Sequence, residues 1–400
     1  MKVLQVFDQT SPLVSGYSMR SRYLTDNLAQ LGAKVEVVSS PIFSYKAQEE
    51  NINGVTYKRT EVAGWNAIKK FPILKELLVV SSLKDKIQSC LNGEAKIIDA
   101  HSSVLNGMAA CEVAKKNKLP FIYEIRALWE DAAVDQGKTK EGSLRYNLTR
   151  NMETDIIKKA DAVTVICEGI KKDILNRGIK EEKITVIPNG VDVNLFQPMP
   201  KDPEILARYS LQGSYVIGFI GTFFLFEGLD ILVKAAKEIL VKNKNVKFLL
   251  VGGGEQEAQL KSLVEELNLQ DHVIFSGRVK HDDVQKFYSV IDILVYPRTS
   301  KRITELVTPL KPLEAMALEK IVIGSNVGGI KELIKEGQNG LLFKAEDVQA
   351  LAEKCLYAIE NLSTLQTMAK QGREFVIKER NWQAICQRYF DIFKKLGVSV

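Results

Sequence analysis

Between positions 298 and 311 the chain gathers Arg298, Lys301, Arg302 and Lys311, inside the stretch YPRTSKRITELVTPLKPLEAMALEKIVIGSNVGG that runs from Tyr296 to Gly329. Cations grouped in one loop suit a diphosphate: arginine grips phosphate oxygens through paired hydrogen bonds, and two or three such groups balance the charge. The stretch begins after the strand-like run from Asp292 to Val295, and ligands of open α/β sheets bind at the carboxyl ends of strands. Pro309 and Pro312 fit a loop and the first turn of a helix through Leu313 to Ala317. The backbone from Thr308 through Pro309 and Leu310 to Lys311 then faces an anion. Any one of these residues alone reads as solvated surface; together they read as a diphosphate cradle, with Glu305 and Glu314 placed among them.

Glycine-rich turns follow other strand-like runs. Gly252, Gly253 and Gly254 stand between a strand and a helix opening near Glu257, where glycine lets the backbone approach a ligand. The spacing is not G-x-G-x-x-G, because position 257 is glutamate, so a plain tight turn is the competing reading. Ser15-Gly16-Tyr17 after the first strand is open in the same way, to a phosphate-approach loop or an ordinary turn. His101, Glu124, Arg126 and Glu130 fall at or just beyond predicted strand ends. His101 could meet sugar hydroxyls or be a hydrogen-bonded core histidine. Glu130 could orient an acceptor hydroxyl or form a structural ion pair, and Glu124 is expected to be buried and paired.

The elements that must position these groups alternate in type. Short β-branched runs (Lys2 to Phe7, Lys34 to Val38, Lys96 to Asp99, Phe121 to Ile125, Ala162 to Ile166) are separated by helical candidates such as Tyr17 to Leu31 and Val104 to Asn117. A second series follows: Tyr215 to Ile220, Val246 to Val251, Val273 to Ser276, Asp292 to Val295 and Ile321 to Gly324, with Gly228 to Val241 at helical spacing. Two such series predict two doubly wound, Rossmann-like α/β domains. The turn Ile187-Pro188-Asn189-Gly190 marks the seam, so the domains are expected at 1–187 and 188–380, with a helix in 381–400 that can dock back on the first.

Four hundred residues, 46% hydrophobic and 26% charged, describe a globular chain of two or three domains. The 55 Lys+Arg against 49 Asp+Glu leave a net +6, which suits phosphates or a membrane surface and does not compel nucleic acid. Five widely spaced cysteines without a C-x-x-C pair argue against a disulfide framework or structural zinc and fit a reducing compartment. The start, Met-Lys and then a strand-like run, does not read as a signal peptide, and no apolar run approaches the ~20 residues that span a bilayer. A cytoplasmic protein is expected. The mix of aromatics, leucines and lysines from Trp65 to Leu78 suits either an interfacial segment on anionic lipid or an ordinary helix.

Taken in order, the N-terminal strand, glycine loop and helix, Asn189-Gly190-Val191-Asp192, Gly218-Phe219-Ile220-Gly221, Gly252-Gly253-Gly254, Phe275-Ser276-Gly277-Arg278-Val279, Leu313-Glu314-Ala315-Met316-Ala317, and Gly328-Gly329 with Glu332 resemble the retaining glycosyltransferases of family 4. Tyr123 to Asp131 and Thr304 to Ala317 carry a narrower resemblance to the branch associated with exosortase and exopolysaccharide clusters. The resemblance implies the GT-B fold, two Rossmann-like domains facing across a cleft. It implies transfer of a sugar, with retention, from a UDP- or GDP-sugar to a hydroxyl of a free or lipid-linked glycan, in bacterial surface or exopolysaccharide synthesis, without a cofactor or an active-site metal. Gly221, Gly252, Gly253, Arg278, Val279 and Glu314 are then nucleotide contacts. Gly16, Arg298, Lys301, Arg302, Thr308, Pro309, Leu310 and Lys311 are diphosphate contacts, and Glu305, Arg126, Glu130 and His101 are catalytic candidates.

Three departures stand out. The family places Arg and Lys on the loop after the first strand of its second domain; the matching positions hold Thr222 and Glu227. Arg298, Arg302 and Lys311 are expected to take over their charge. The family also has two glutamates with seven residues between them; the second matches Glu314, but the first falls on Leu306, with Glu305 one residue early. Where the family often has histidine this chain has Arg126. The rival readings are an epimerase or phosphorylase of the same fold and a catalytically silent glycosyltransferase-like subunit.

Overall fold

A computed structural model of the chain describes residues 1–13, 15–62, 65, 72–135, 137, 139–280 and 283–398. They pack as two units: residues 1–189 with the C-terminal helix Trp382–Lys395, and Gly190–Asn381.

The first unit is built on eight strands: β1 (Lys2–Phe7), β2 (Lys34–Ser39), β3 (Glu49–Ile52), β4 (Val55–Arg59), β5 (Ala95–His101), β6 (Phe121–Ile125), β7 (Ala162–Val165) and β8 (Ile184–Val186). Their order is β3-β4-β2-β1-β5-β6-β7-β8. All pairings are parallel except β3 with β4, a hairpin closed by Asn53-Gly54 at φ 54° and 82°, the two-residue turn that positive φ favours. β1, Lys-Val-Leu-Gln-Val-Phe, is buried along its whole length, so its apolar residues do not alternate with exposed polar ones. The helix Gly16–Gln30 starts at Ser15, whose hydroxyl accepts from the Ser18 amide in a capping box. The helix Trp382–Lys395 buries Trp382, Cys386, Tyr389 and Phe393 in this unit, and Trp382 stacks on Tyr23 at 5.5 Å.

The second unit holds six strands: β9 (Tyr215–Thr222), β10 (Val246–Gly253), β11 (Val273–Gly277), β12 (Ile293–Tyr296), β13 (Ile321–Ser325) and β14 (Leu341–Phe343). The order β11-β10-β9-β12-β13-β14 is the doubly wound pattern, and it reverses between β9 and β12. Phe219, Phe248, Leu249, Val295, Ile323 and Met316 lie in its core, and burying each such side chain stabilises the unit by about 1.5–3 kcal/mol. In the β9–β10 register Gly221 stands opposite Gly252 at the strand ends. A Cβ on Gly252 would lie 1.9 Å from the Gly221 carbonyl oxygen, so only glycine fits there.

No helix among the described residues is long and apolar enough to cross a membrane. Within the segment 65–78, residues 66–71 lie outside the described ones; beyond them Leu74 and Leu77 are exposed on the helix Pro72–Cys90.

Candidate functional site

The site of the second unit lies where β9, β10 and β12 end. Gly221 has no side chain, and a Cβ there would sit 2.4 Å from Lys311 Cε. The Lys311 stem therefore crosses over the β9 backbone. Its ammonium stands 4.7 Å from the centre of the Phe219 ring and donates to Glu227 Oε1 at 2.7 Å. Lys311 opens the helix Lys311–Ala317, and its carbonyl accepts from the Tyr296 hydroxyl at 3.0 Å, which fixes the stem's origin.

Glu227 is buried and faces a second cation: Arg298 Nε lies 3.7 Å from its Oε2. Arg298 is itself buried, lies over the Phe226 ring at 5.4 Å, and donates from Nη1 to the Val307 carbonyl at 3.1 Å. Burial alone would push the Glu227 carboxyl up, but Lys311 and Arg298 outweigh it and hold the group below the usual carboxylate range. Thus a cation from position 311 stands beside the side chain of position 227, on the loop where the family resemblance calls for a lysine.

The other expected residues take distinct places. Gly253 adjoins Glu257 and the stem of the exposed Arg278, and Val279 is partly buried. Lys301 is exposed; Arg302 is partly buried on the short helix Arg302–Leu306. Thr308 is buried, and Pro309 and Leu310 are partly buried on the way into the next helix. Glu314 accepts from the Tyr288 hydroxyl at 2.8 Å, and burial pushes its carboxyl up. Glu305 accepts from the Gly328 amide at 2.7 Å and the Ser300 hydroxyl at 2.8 Å. It ties two loops together. The structure therefore brings Gly221, Gly252, Gly253, Arg298 and Lys311 to one strand edge, and turns Glu305 toward Gly328.

In the first unit, Gly16 is exposed at the start of its helix. His101 has no exposed surface. One ring nitrogen lies 3.1 Å from Asp99 and the other 2.9 Å from Glu124. Arg126 donates to Glu124 at 2.7 Å and to the Tyr17 carbonyl at 2.9 Å. Arg20 grips Glu124 from the other side and also donates to the Pro188 carbonyl. Glu130 accepts from Arg177 at 2.6 Å. These three catalytic candidates are thus parts of paired, buried networks, the arrangement that makes a buried charge tolerable. His101 and Arg126 tie the ends of β5 and β6 through Glu124, and Glu130 ties the helix Trp129–Asp135 to Arg177.

Two features of this unit were not anticipated. Asp8, just past β1, is buried and its carboxyl is pushed up to about 6 by burial; a carboxylate directly after an apolar strand is a sequence signal that could have marked it. A cavity of about 580 Å³ is lined by Phe43, Tyr45, Arg59, Thr60, Glu61 and Trp65, among others. Tyr45 is fixed there by the Arg59 guanidinium over its ring at 4.1 Å and by the Thr10 amide, which donates to its hydroxyl.

Residues 14–195 match the family model described as Glycosyltransferase Family 4, and residues 202–375 match that described as Glycosyl transferases group 1. The capsular polysaccharide biosynthesis glycosyltransferase CapM of Staphylococcus aureus is 27% identical over 359 residues, 88% of this chain and 87% of that one. Among solved structures, sucrose-phosphate synthase from Thermosynechococcus elongatus superposes with a TM-score of 0.80 at 22% identity, covering 99% of this chain and 98% of the other. Anabaena HepE in complex with UDP superposes with a TM-score of 0.75 at 18% identity, covering 99% and 100%.

Proposed function

The chain belongs to the glycosyltransferases of the GT-B type, and on that premise we propose that it transfers a sugar, with retention of configuration, from a nucleotide-sugar donor to a hydroxyl of a glycan. The single observation that carries this reading is the Lys311–Glu227–Arg298 cluster beside Gly221. As the glycosidic bond breaks, a nucleoside diphosphate departs while the sugar becomes cationic in character. Fixed cations beside the departing phosphates stabilise that charge without reorganising. Lys311 and Arg298 are held in place before any ligand arrives.

The donor is proposed to be UDP- or GDP-linked; the UDP held by the fold relative HepE supports the nucleotide class. Transfer is proposed to need no divalent ion, as the family resemblance implies. The aromatic-lined cavity near Tyr45 supports an acceptor with sugar rings, whose apolar faces stack on aromatics while their hydroxyls meet Thr60 and Glu61. Surface or exopolysaccharide synthesis in the cytoplasm, on a lipid-linked acceptor at the membrane, is the proposed setting. The five free cysteines and the exposed Leu74 and Leu77 support it.

Calorimetric titration with UDP, GDP, ADP and TDP, followed by the matching sugars, tests the reading. Lys311→Ala is expected to weaken nucleoside diphosphate binding by roughly 1.5–3 kcal/mol, the scale of a charge-assisted bond. Unchanged binding would displace the cradle from this loop. One observation favours a second reading, a subunit that binds nucleotide without turnover: Glu227 already occupies the cations. Release of nucleoside diphosphate from a donor in the presence of an acceptor separates the two.

A further inference from the structure

We infer that Glu227 is a built-in competitor for the donor's diphosphate: as an internal anion on Lys311 and Arg298, it limits how tightly the departing nucleoside diphosphate is retained. This rests on the reading above, in which those two cations face that diphosphate. A sequence pattern registers position 227 as a missing cation; the structure makes it an anion with a defined place and two partners.

The carboxylate cannot easily leave. Glu227 ends the single turn Leu225–Glu227 directly after β9, and Gly228 follows at φ 67° with its Cα against the Pro297 carbonyl, where a Cβ would lie 2.1 Å from the oxygen. The turn is thereby clamped onto the loop that carries Arg298. The glutamate is 4% exposed, and moving its charge away from both cations would leave it buried and unpaired.

The cations nevertheless keep capacity for a ligand. The Lys311 side chain retains 22% of its exposure, and an ammonium has three N–H donors, of which one meets Glu227. Arg298 Nε and Glu227 Oε2 face each other at 3.7 Å, and neither makes a hydrogen bond. That contact is coulombic, so the guanidinium is neutralised in charge without being saturated in hydrogen bonds. Two cations and one carboxylate sum to +1, short of the two or more negative charges of a nucleoside diphosphate. A fixed negative charge beside the phosphates weakens donor and product together, which raises KM and speeds product release. Release limits turnover in many enzymes of closing type.

The experiment uses the full-length chain and inorganic pyrophosphate, UDP and GDP as probes, with calorimetry on wild type, Glu227→Gln, Glu227→Asp and Lys311→Met. Glu227→Gln is expected to bind pyrophosphate about tenfold tighter. With the donor identified by titration, its KM, its kcat and the inhibition constant of the product should fall together. Glu227→Asp keeps the charge and is expected to stay within about twofold of wild type. Should the glutamine variant fail to fold, Glu227→Asn is the second neutral replacement, since its amide oxygen can still accept from the Lys311 ammonium. Pyrophosphate binding by the neutral variant that equals or falls below wild type overturns the competitor role and leaves Glu227 an anchor. Pyrophosphate binding unaffected by Lys311→Met, or absent in every variant, instead overturns the reading of the cradle itself.

Discussion

Buried carboxylates divide this molecule into groups that stay ionised and groups that do not. Glu124, with Arg20, His101 and Arg126 around it, is held well below the usual carboxylate range even though burial opposes this. Glu153 is the opposite case: burial, reinforced by the nearby Glu130 charge, pushes its carboxyl up to about 8, against 4.5 for the free group. The folded chain therefore keeps a proton between about pH 4.5 and 8 that the unfolded chain has lost. Stability from this group is complete below about pH 4.5, declines as the pH rises, and levels off above about 8. Glu153→Gln, which still accepts from the Tyr123 hydroxyl, is expected to flatten that slope and to gain on wild type as the pH rises from 5 to 8. Urea melts at pH 5 and pH 8 check it; an unchanged slope would place the proton elsewhere. At this scale the site was only partly legible in the sequence. Arg298 and Lys311 stood out by type and crowding. The burial of His101 was one of two open readings, because its covering partners, Arg20 with Glu124 and Tyr389 beyond them, arrive from distant parts of the chain.

Elements that end at the site depend on glycines whose reasons are geometric. Gly228 and Gly213 have similar φ, 67° and 72°, yet a Cβ on Gly213 would meet nothing within 4 Å while one on Gly228 would strike the Pro297 carbonyl. Gly213→Ala is expected to lose about 1–2 kcal/mol, the cost of the left-handed backbone. Gly228→Ala adds a backbone clash and is expected to exceed that loss by at least about 1 kcal/mol. It should also displace Glu227, so its pyrophosphate affinity should change while that of Gly213→Ala does not. Denaturant midpoints and calorimetry on the pair check both. The strands that carry the glycines were legible as β-branched runs because parallel, doubly covered strands are apolar throughout. β3, β4, β8 and β14 were not: β3 reads Glu-Glu-Asn-Ile at an edge, β4 reads Val-Thr-Tyr-Lys-Arg with only two apolar residues, and the other two have three residues each, too few to show a period.

At the scale of the molecule, the chain leaves its first unit, completes the second, and returns with one helix. Trp382, Cys386, Tyr389 and Phe393 on that helix close the first unit's core, and the Tyr389 hydroxyl donates to Glu124 in the network that also holds His101 and Arg126. The second unit has its own core, from Val191 and Phe196 through Val376. Stability should therefore be separable. Tyr389→Phe keeps the ring and removes one bond to a buried, ionised carboxylate, a loss of about 1.5–3 kcal/mol, or roughly 3–12 °C in a unit of this size. Tyr389→Ala adds a cavity where the ring was and is expected to cost about 3–5 kcal/mol. In differential scanning calorimetry both variants should lower only the transition of the first unit, and pyrophosphate binding, proposed for the second unit, should survive at temperatures below that transition. A parallel drop in both transitions, or lost pyrophosphate binding in the still-folded Tyr389→Phe, would mean that the helix supports the whole chain rather than the unit in which it is packed.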